Sequence, residues 1–503
     1  MNPIEPSELQ GAGLVPPEPL IFEMGSPGAC GVSLPPDDVP AVEPSSAIPR
    51  ELLADEPPLL PEVGECDVVR HYTRLAHRLF SVDGNFYPLG SCTMKYNPKI
   101  NERAAGASGF AHLHPYQPAE DIQGLLELLY ELRTALAEIA GLAEVSLQPA
   151  AGAHGEMTGL MVINAFHRDH GGVRPKVLTP DTSHGTNPAS CAVCGRHAMV
   201  VESGPDGRID LDDLVAKVDE QTAALMITNP NTSGLWDPQI VEIAKILHDH
   251  GAMLYLDGAN MNAILGITRP GDLGVDVMHY NLHKTFSTPH GCGGPGAGPI
   301  AVAEPLRDYL PVPQVVRRPD GTYAWDDHRP KSIGKVRSFY GQIGVLIRAW
   351  AYIRALGPDG LRDVSAKAVL SANYLAARLR EAYRLPFRGP YAHEFIIVPE
   401  FRDYGVTELD VAKRLIDYGV HPPTMSWPVA HCLMIEPTEC ESLATLDAFA
   451  EAMLAIARDA RQRPERLHHA PFTMPVNRLD EVSAARRPDL RWHPPGERPS
   501  DPS

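Results

Sequence analysis

Apolar residues recur at two different periods along the chain, and the two periods alternate through its middle. Leucines within 122–142 follow the three- and four-residue spacing of a helix face, and Gly141 stands where such a helix would end. Short apolar runs then alternate with helical stretches: KVLT (176–179), AMVVES (198–203), AALMIT (223–228), AMLYLD (252–257), DVMHYN (276–281) and GPIAVA (298–303). Strands that alternate with helices pair in parallel, so residues from about 140 to 310 predict an α/β domain with a mostly parallel sheet.

A second set of patterns predicts a smaller α+β domain. Helix-like and strand-like segments follow one another at 341–355, 364–383, 393–400, 409–419, 432–438 and 442–460. Prolines concentrate near both ends, and proline interrupts helices, so the ends predict extended arms. We therefore expect four parts: a Pro-rich arm (1–65), a large domain (66–330), a small C-terminal α+β domain (331–465) and a tail (466–503).

The charge balance narrows the choice of partners. The 503 residues carry 44 basic and 63 acidic side chains, a formal net charge of −19. Nucleic acids and anionic membranes attract basic surfaces, so we expect neither as a partner. No apolar run reaches the roughly 18 residues that cross a bilayer, because Arg348 and Arg354 interrupt the most apolar stretch. The first ten residues lack the basic start and apolar core of a secretory signal, so we expect a cytoplasmic protein.

Eight scattered cysteines are too few for a disulfide framework. Cys191 and Cys194 form one CxxC pair, but no second pair stands at a zinc-binding interval. We expect reduced thiols packed in or beside the core, and no metal site. The sequence leaves open whether Cys92 or Cys292 responds to oxidation.

The most informative segment is HYNLHKTFSTPHGCGGPGAGPI, residues 279–300. An apolar run ends there, the pair His283 and Lys284 follows, and a glycine-rich loop leads into the next run. A lysine at a strand terminus among apolar neighbours has its ammonium form disfavoured, so its amine is available to attack a carbonyl. A solvated surface lysine is the commoner explanation for an arbitrary lysine, so Lys284 needs support from other residues.

Three further segments fall at ends of the same predicted strands. Asp257 closes an apolar run, and pyridoxal phosphate needs a carboxylate beside its ring nitrogen. Small residues at 150–153 precede a helix-like stretch and predict backbone N–H groups around a phosphate, with His154 beside them. The segment 181–190 offers polar side chains that include Asn187. Each segment alone also fits an ordinary turn or cap, and the combination favours a pyridoxal-phosphate site.

Five strings of this sequence closely resemble the C-terminal half of the glycine decarboxylase P-protein, which some bacteria make as a separate chain. They are PLGSCTMKYNPKIN (88–101), LQPAAGAHGE (147–156), DTSHGTNPAS (181–190), YLDGANMNA (255–263) and NLHKTFSTPHGCGGPG (281–296). The resemblance extends from PLIFEMGSPG (19–28) to PVNRLDEVSAARRPDLRW (475–492) and so covers nearly the whole length.

The resemblance implies a fold-type I pyridoxal-phosphate enzyme of the glycine cleavage system. Lys284 would bind the cofactor's aldehyde covalently, Asp257 would pair with its pyridine nitrogen, and Ala259 would pack on the ring face opposite His154. The other candidates are Gly152, Ala153 and His283 near the phosphate, and Thr93, Lys95 and Asn187 beside the substrate or a channel.

The resemblance also implies a reaction and its partners. Glycine would lose carbon dioxide, and its aminomethyl group would pass to the lipoyl arm of the H-protein. Single-chain members of the family carry a second, N-terminal half that these residues do not match. We therefore expect a separate subunit 1 that completes the active site, in a heterotetramer of two copies of each subunit.

Two alternatives remain open at this stage. The first is a self-sufficient homodimeric aminotransferase, desulfurase or amino-acid decarboxylase with the same cofactor. Arg378 and Arg380 are of the type that clamps a substrate carboxylate in aminotransferases, although their helical setting favours a solvated face. The second is a non-catalytic scaffold subunit, which the presence of both Asp257 and Lys284 disfavours.

Overall fold

The computed structural model describes residues 16–56, 58–290 and 296–494. The chain divides into two units, one formed by residues 1–80 with 469–503 and the other by residues 81–468. The glycine-rich loop of the lysine segment falls partly on residues 291–295, so Cys292 lies outside the described residues.

Fifteen α-helices occur among the described residues: α1 (Pro44–Ala47), α2 (Glu65–Arg78), α3 (Lys99–Ala105), α4 (Ser108–Ala111), α5 (Gln123–Ala140), α6 (Gly152–Asp169), α7 (Thr186–Val193), α8 (Leu211–Lys217), α9 (Ile240–Asp249), α10 (Leu282–Thr285), α11 (Ile343–Leu379), α12 (Glu408–Asp417), α13 (Leu443–Gln462), α14 (Glu465–His468) and α15 (Glu481–Arg486).

Twelve strands occur in the same residues: β1 (Glu144–Ser146), β2 (Lys176–Pro180), β3 (His197–Val201), β4 (Thr222–Thr228), β5 (Met253–Gly258), β6 (Val277–Tyr280), β7 (Ile300–Val302), β8 (Gln314–Arg317), β9 (Tyr323–Asp326), β10 (Phe395–Ile397), β11 (Thr424–Met425) and β12 (Leu433–Ile435). No helix in the described ranges is both long and apolar enough to span a membrane.

The first unit consists largely of extended chain around α2. The Glu18 carboxylate accepts a hydrogen bond from Arg74 of this helix at 2.8 Å. The Phe22 and Trp492 rings stack with centroids 5.0 Å apart, which joins the N-terminal and C-terminal segments of the unit. Helix α2 therefore belongs to the same unit as the N-terminal arm, whereas the sequence analysis placed the end of the arm at residue 65.

A seven-stranded sheet in the order β1-β7-β6-β5-β4-β2-β3 forms the centre of the second unit. Strands β3, β2, β4, β5 and β6 run parallel, while β7 pairs antiparallel with both β6 and β1. The prediction of a mostly parallel sheet is confirmed. Every residue of β4 is buried, because helices cover both faces, and this is why that strand reads as a continuous apolar run. Strand β3 is at the sheet edge and is largely exposed.

The helical patterns at 341–355 and 364–383 correspond to two helices that meet at a kink and together carry the label α11. Helix α11 contains Gly357, whose φ of 63° is not helical, followed by Pro358. A proline inside a helix removes a backbone hydrogen bond, so the chain bends at this point. The helical spacing of apolar residues in the sequence is also interrupted at Gly357 and Pro358.

The C-terminal part of the second unit has its own sheet and its own hydrophobic cluster. Strands β10, β12 and β11 form an antiparallel sheet, with Phe395 opposite Ile435. Phe401 and Phe449 are buried in the cluster between this sheet and helices α12 and α13. The structure keeps residues 81–468 in one unit, so a separate small domain from 331 to 465 remains a proposal.

Candidate active site

Lys284 lies just beyond the carboxyl end of β6, in the single-turn helix α10. Its side chain is half-buried, and Nζ donates a hydrogen bond to the Ser91 carbonyl oxygen at 2.7 Å. The strand-terminal position that the sequence indicated for this lysine is where the structure places it.

Asp257 lies at the carboxyl end of the neighbouring strand β5 and is buried. Its Oδ1 accepts from the Ala259 N–H at 2.9 Å, and its Oδ2 accepts from Asn187 Nδ2 at 3.2 Å. Burial alone would raise the pKa of this carboxyl, but His279, the Ala259 N–H and Lys284 outweigh burial and lower it. Asp257 is therefore ionised at neutral pH.

His279 faces Asp257 from β6, where the two residues are register partners. His279 Nε2 lies 3.2 Å from Asp257 Oδ1, and the Tyr255 hydroxyl lies 2.9 Å from His279 Nδ1. When the tyrosine donates to Nδ1, the ring proton is on Nε2 and points to the carboxylate. Tyr255 and His279 thus fix the orientation of Asp257 from behind.

Lys284 and Asp257 line one cleft of about 180 Å³ that is open to solvent. Its position at the carboxyl ends of parallel strands is where open α/β sheets bind ligands. The lining residues are Ser91, Gly152, Ala153, Glu156, His184, Thr186, Thr228, Thr232, Asp257, Ala259, Asn260, Asn281, His283 and Lys284.

The N-terminus of α6 forms one wall of the cleft through Gly152 and Ala153. The first N–H groups of a helix have no partner within the helix, and no side chain of the described residues caps α6. A Cβ at Gly152 would lie 2.1 Å from Asn281 Oδ1, so only glycine allows this close approach. The arrangement suits a bound anion.

His283 contributes a neutral imidazole to the same wall. Its Nδ1 accepts a hydrogen bond from the Ala297 N–H at 3.2 Å, which leaves the ring proton on Nε2. Burial, reinforced by the Lys284 charge, lowers the pKa of His283 to about 3. The ring is therefore a hydrogen-bond donor without charge at neutral pH.

Two sequence-predicted residues stand next to residues of the cleft lining. His154 follows Ala153 in α6, is half-buried, and its Nδ1 accepts from the Ala150 N–H at 3.2 Å, so its place on a cofactor ring stays a prediction. His184, from the segment before α7, lines the cleft as well. Asn187 is buried behind Asp257 and positions that carboxylate.

Thr93 and Lys95 also lie outside the lining. Thr93 is buried, and its backbone N–H donates to Glu436 at 3.0 Å. Lys95 Nζ is buried and donates to Glu439 at 2.6 Å, the Thr285 carbonyl at 2.7 Å and the Tyr352 hydroxyl at 3.2 Å. These three hydrogen bonds use all the donors of Lys95 Nζ and tie it to α10 and α11, and its place beside a channel stays a prediction.

Several cleft residues were absent from the sequence-based candidates. Glu156 accepts from the Thr186 hydroxyl at 2.7 Å and the Ser190 hydroxyl at 3.0 Å, which joins α6 to α7. Its position four residues after Gly152, on the same helix face, is the signal that could have identified it. His279 could have been found from the register of two consecutive predicted strands.

The arginines that the aminotransferase alternative requires lie elsewhere. Arg378 Nη1 contacts the Asp447 carboxylate at 2.5 Å and the Tyr374 hydroxyl at 2.7 Å, and Arg380 is exposed. No arginine of the described residues lines the cleft. The CxxC thiols pack beside the sheet, with Cys191 buried against Met226, and burial raises the pKa of Cys191 to about 12.

Family models and relatives agree on one family. The model for the glycine cleavage system P-protein matches residues 43–316, and the model for the glycine dehydrogenase C-terminal domain matches residues 364–471. A protein of Chlorobium chlorochromatii named probable glycine dehydrogenase (decarboxylating) subunit 2 is 55% identical over 474 residues, covering 93% of this chain and 98% of the relative. A protein of the same name from Listeria monocytogenes is 52% identical over 478 residues, covering 94% and 98%.

Solved structures of several enzymes share this fold. A glycine decarboxylase (P-protein) in inhibitor-bound form superposes with a TM-score of 0.69 at 23% identity, covering 82% of this chain and 94% of that one. A sphingosine-1-phosphate lyase of Burkholderia pseudomallei has a TM-score of 0.62 at 15% identity, covering 84% and 97%. The fold-type I prediction is confirmed, and the chain belongs to the glycine dehydrogenase (decarboxylating) subunit 2 family of glycine cleavage P-proteins.

Proposed function

We propose that this chain is a pyridoxal-phosphate-dependent glycine decarboxylase that transfers the aminomethyl group to the lipoyl arm of the H-protein. The observation that carries the proposal is the shared cleft of Lys284, Asp257 and the N-terminus of α6 at the strand ends. Membership of the P-protein family supports glycine as the substrate.

The cleft residues fit the cofactor. The uncapped start of α6, with its close backbone approach at Gly152, suits the phosphate, and the neutral His283 adds a donor. The Asp257 carboxylate has about four lone-pair sites and three protein partners, so it can accept one more N–H from a ring nitrogen. Lys284 supplies the amine for the aldehyde.

Each residue has a distinct task in this proposal. Bound pyridoxal phosphate supplies an electron-accepting ring for the loss of carbon dioxide from glycine. Asp257 keeps a proton on the ring nitrogen, because its own pKa is lowered and it stays ionised. Ala259 would hold one face of the cofactor ring and His154 the other, and His184, which also lines the cleft, is a second candidate for the face opposite Ala259. Lys284 holds or releases a proton at Nζ when glycine takes its place.

The proposal includes two protein partners and a cytoplasmic location. The relatives' designation as subunit 2 supports a companion subunit 1. The proposed assembly is a heterotetramer of two copies of each subunit. The cleft is open to solvent, so a lipoyl-lysine of the H-protein has a route to it. The acidic composition and the free cysteines of the described residues support the cytoplasm.

Glycine-dependent exchange of labelled carbon dioxide tests the proposal. We expect activity from this chain with subunit 1 and lipoylated H-protein, little activity from this chain alone, and none with Lys284→Arg. Full activity of the lone chain would refute the need for subunit 1. Unchanged exchange in the Lys284→Arg protein would refute the role of the lysine.

A further inference from the structure

Two glutamates are buried side by side behind the active-site lysine. Glu394 directly precedes β10 and Glu436 directly follows β12, and the pairing of Phe395 with Ile435 places the two acids at neighbouring positions. Both have 0% exposure, as has His393 beside them. The ligand atoms of these three side chains lie within 4.8 Å of one another.

The two acids hold a loop that contacts Lys284. Ser91 and Thr93 have positive φ values of 68° and 48°. The Ser91 N–H donates to Glu394 Oε2 at 2.7 Å, and the Thr93 N–H donates to Glu436 Oε2 at 3.0 Å. The Ser91 carbonyl accepts from Lys284 Nζ, so one residue links Glu394 to the lysine.

Two buried carboxylates this close cannot both be ionised without a large cost. Burial raises the pKa of both, and more strongly for Glu394, which also faces the charge on Glu436. Lys284 is the cation that opposes this rise. His393 gives no charge, because burial lowers its pKa to about 3, and burial also lowers the pKa of His290, which faces the loop backbone.

Hydrogen bonding distinguishes the two acids. Both oxygens of Glu436 accept, Oε2 from the Thr93 N–H and Oε1 from Asn262 Nδ2 at 2.8 Å. Glu394 Oε1 has no hydrogen-bond donor in the described part of the chain, and His393 Nε2 is 3.7 Å away. A carboxylate suits the first setting and a protonated carboxyl the second.

We propose that Glu394 and Glu436 are positioning residues that share one proton, with Glu394 neutral and Glu436 ionised, and that they hold loop 91–93 so that the Ser91 carbonyl orients Lys284. The inference rests on the proposed function only in taking Lys284 as the reacting amine. A protonated Glu394 also excludes the divalent cation that a histidine and two carboxylates would otherwise bind, since such an ion needs both acids ionised.

Hydrogen exchange in the cofactor-free protein tests the contact with the loop. In Glu394→Gln, the amide oxygen still accepts from the Ser91 N–H, so exchange in 91–93 stays unchanged. In Glu394→Leu, the Ser91 N–H loses its acceptor, and exchange accelerates on the order of tenfold to a hundredfold. Glu400→Leu, which replaces an exposed acid just beyond the same strand, is the matched control and leaves the loop unchanged.

Proton linkage of unfolding tests which acid carries the proton. A folded-state pKa above the ordinary 4.5 means that unfolding releases a proton, so stability falls as pH rises towards the folded pKa. We expect that Glu394→Gln moves this release to lower pH, because only the smaller rise in the pKa of Glu436 remains, and that Glu436→Gln keeps the release at higher pH, because burial still raises the pKa of Glu394. Urea midpoints at several pH values measure both slopes.

The opposite pattern, with the release moved to lower pH in Glu436→Gln and unchanged in Glu394→Gln, would overturn the assignment. Faster loop exchange in Glu394→Gln, or one equivalent of a chelator-removable divalent metal in the purified protein, would overturn it as well. The amount of pyridoxal phosphate that borohydride traps on Lys284 should fall in Glu394→Leu and stay unchanged in Glu394→Gln and Glu400→Leu. If borohydride puts no label on the unmodified protein, the result counts against the proposed function. Hydrogen exchange in loop 91–93 and proton release on unfolding need no cofactor, so they still test the roles of Glu394 and Glu436.

Discussion

Replacement of Asp257 by asparagine should remove catalysis while leaving the fold intact. Three donors reach the carboxylate, from Ala259, His279 and Asn187. An asparagine oxygen can keep the first two. Its amide group would face Asn187, whose own Oδ1 has no partner among the described residues, so a flip of Asn187 restores that bond. The free energy of unfolding should therefore change by less than about 1 kcal/mol.

The chemical cost is larger, because the substitution removes the buried charge that keeps a proton on the ring nitrogen. Loss of one preorganised electrostatic contact at a buried group such as Asp257 costs about 3–4 kcal/mol, so kcat should fall on the order of 10²–10³-fold. Glycine-dependent carbon dioxide exchange in the assembled enzyme measures kcat, and urea unfolding measures stability. Asp276→Asn is the matched control. Asp276 just precedes β6, at the opposite end of that strand from Lys284, and it accepts hydrogen bonds from His248 and the Leu254 N–H. A rate in Asp257→Asn within about threefold of the unmodified enzyme, or an equal loss in Asp276→Asn, would refute the reasoning.

Three further predictions follow from buried groups. Gly152→Ala should weaken pyridoxal-phosphate binding about tenfold or more, because its Cβ would lie 2.1 Å from Asn281 Oδ1. Gly109→Ala is the control and should leave binding unchanged, because the space around Gly109 is open. Titration of each protein with the cofactor, followed by absorbance, measures the two affinities. Lys95→Met should destabilise the fold by about 3–5 kcal/mol by leaving Glu439 buried and unpaired, while Lys99→Met, which breaks an exposed pair with Asp83, should cost no more than about 1 kcal/mol in urea unfolding. Cys191, whose pKa burial raises to about 12, should react with iodoacetamide at pH 8 at least about a hundredfold more slowly than the exposed Cys66, as peptide mass spectrometry can show.

The sequence predicts the sheet well because its strands are buried on both faces. A continuous apolar run such as that of β4 identifies a strand directly from the sequence. The carboxyl ends of parallel strands lie at the same edge of a sheet, so residues at those ends come together. Lys284, Asp257, Gly152 and His283 could be placed together on this argument alone. Strands β1, β8 and β9 were not predicted, because three or four residues are too few to show the two-residue alternation of a strand.

Side-chain direction and long-range contacts were beyond the sequence. His154 lies in the first turn of α6 and His184 precedes α7, and the sequence alone does not tell which of the two rings reaches the cleft. Glu394 and Glu436 contact loop 91–93 across 303 and 343 residues of sequence, so no local spacing could indicate the pair. Lys95 stands in a family motif, and its burial against Glu439 depends on α11 packing nearby.

The account as a whole depends on the amine of Lys284 reacting with the cofactor's aldehyde. Reduction of the pyridoxal-phosphate-loaded protein with borohydride, followed by peptide mapping, tests this directly. The account predicts one label per chain, on the peptide that contains Lys284. Stoichiometric label on any other lysine, or no label at all, would contradict it.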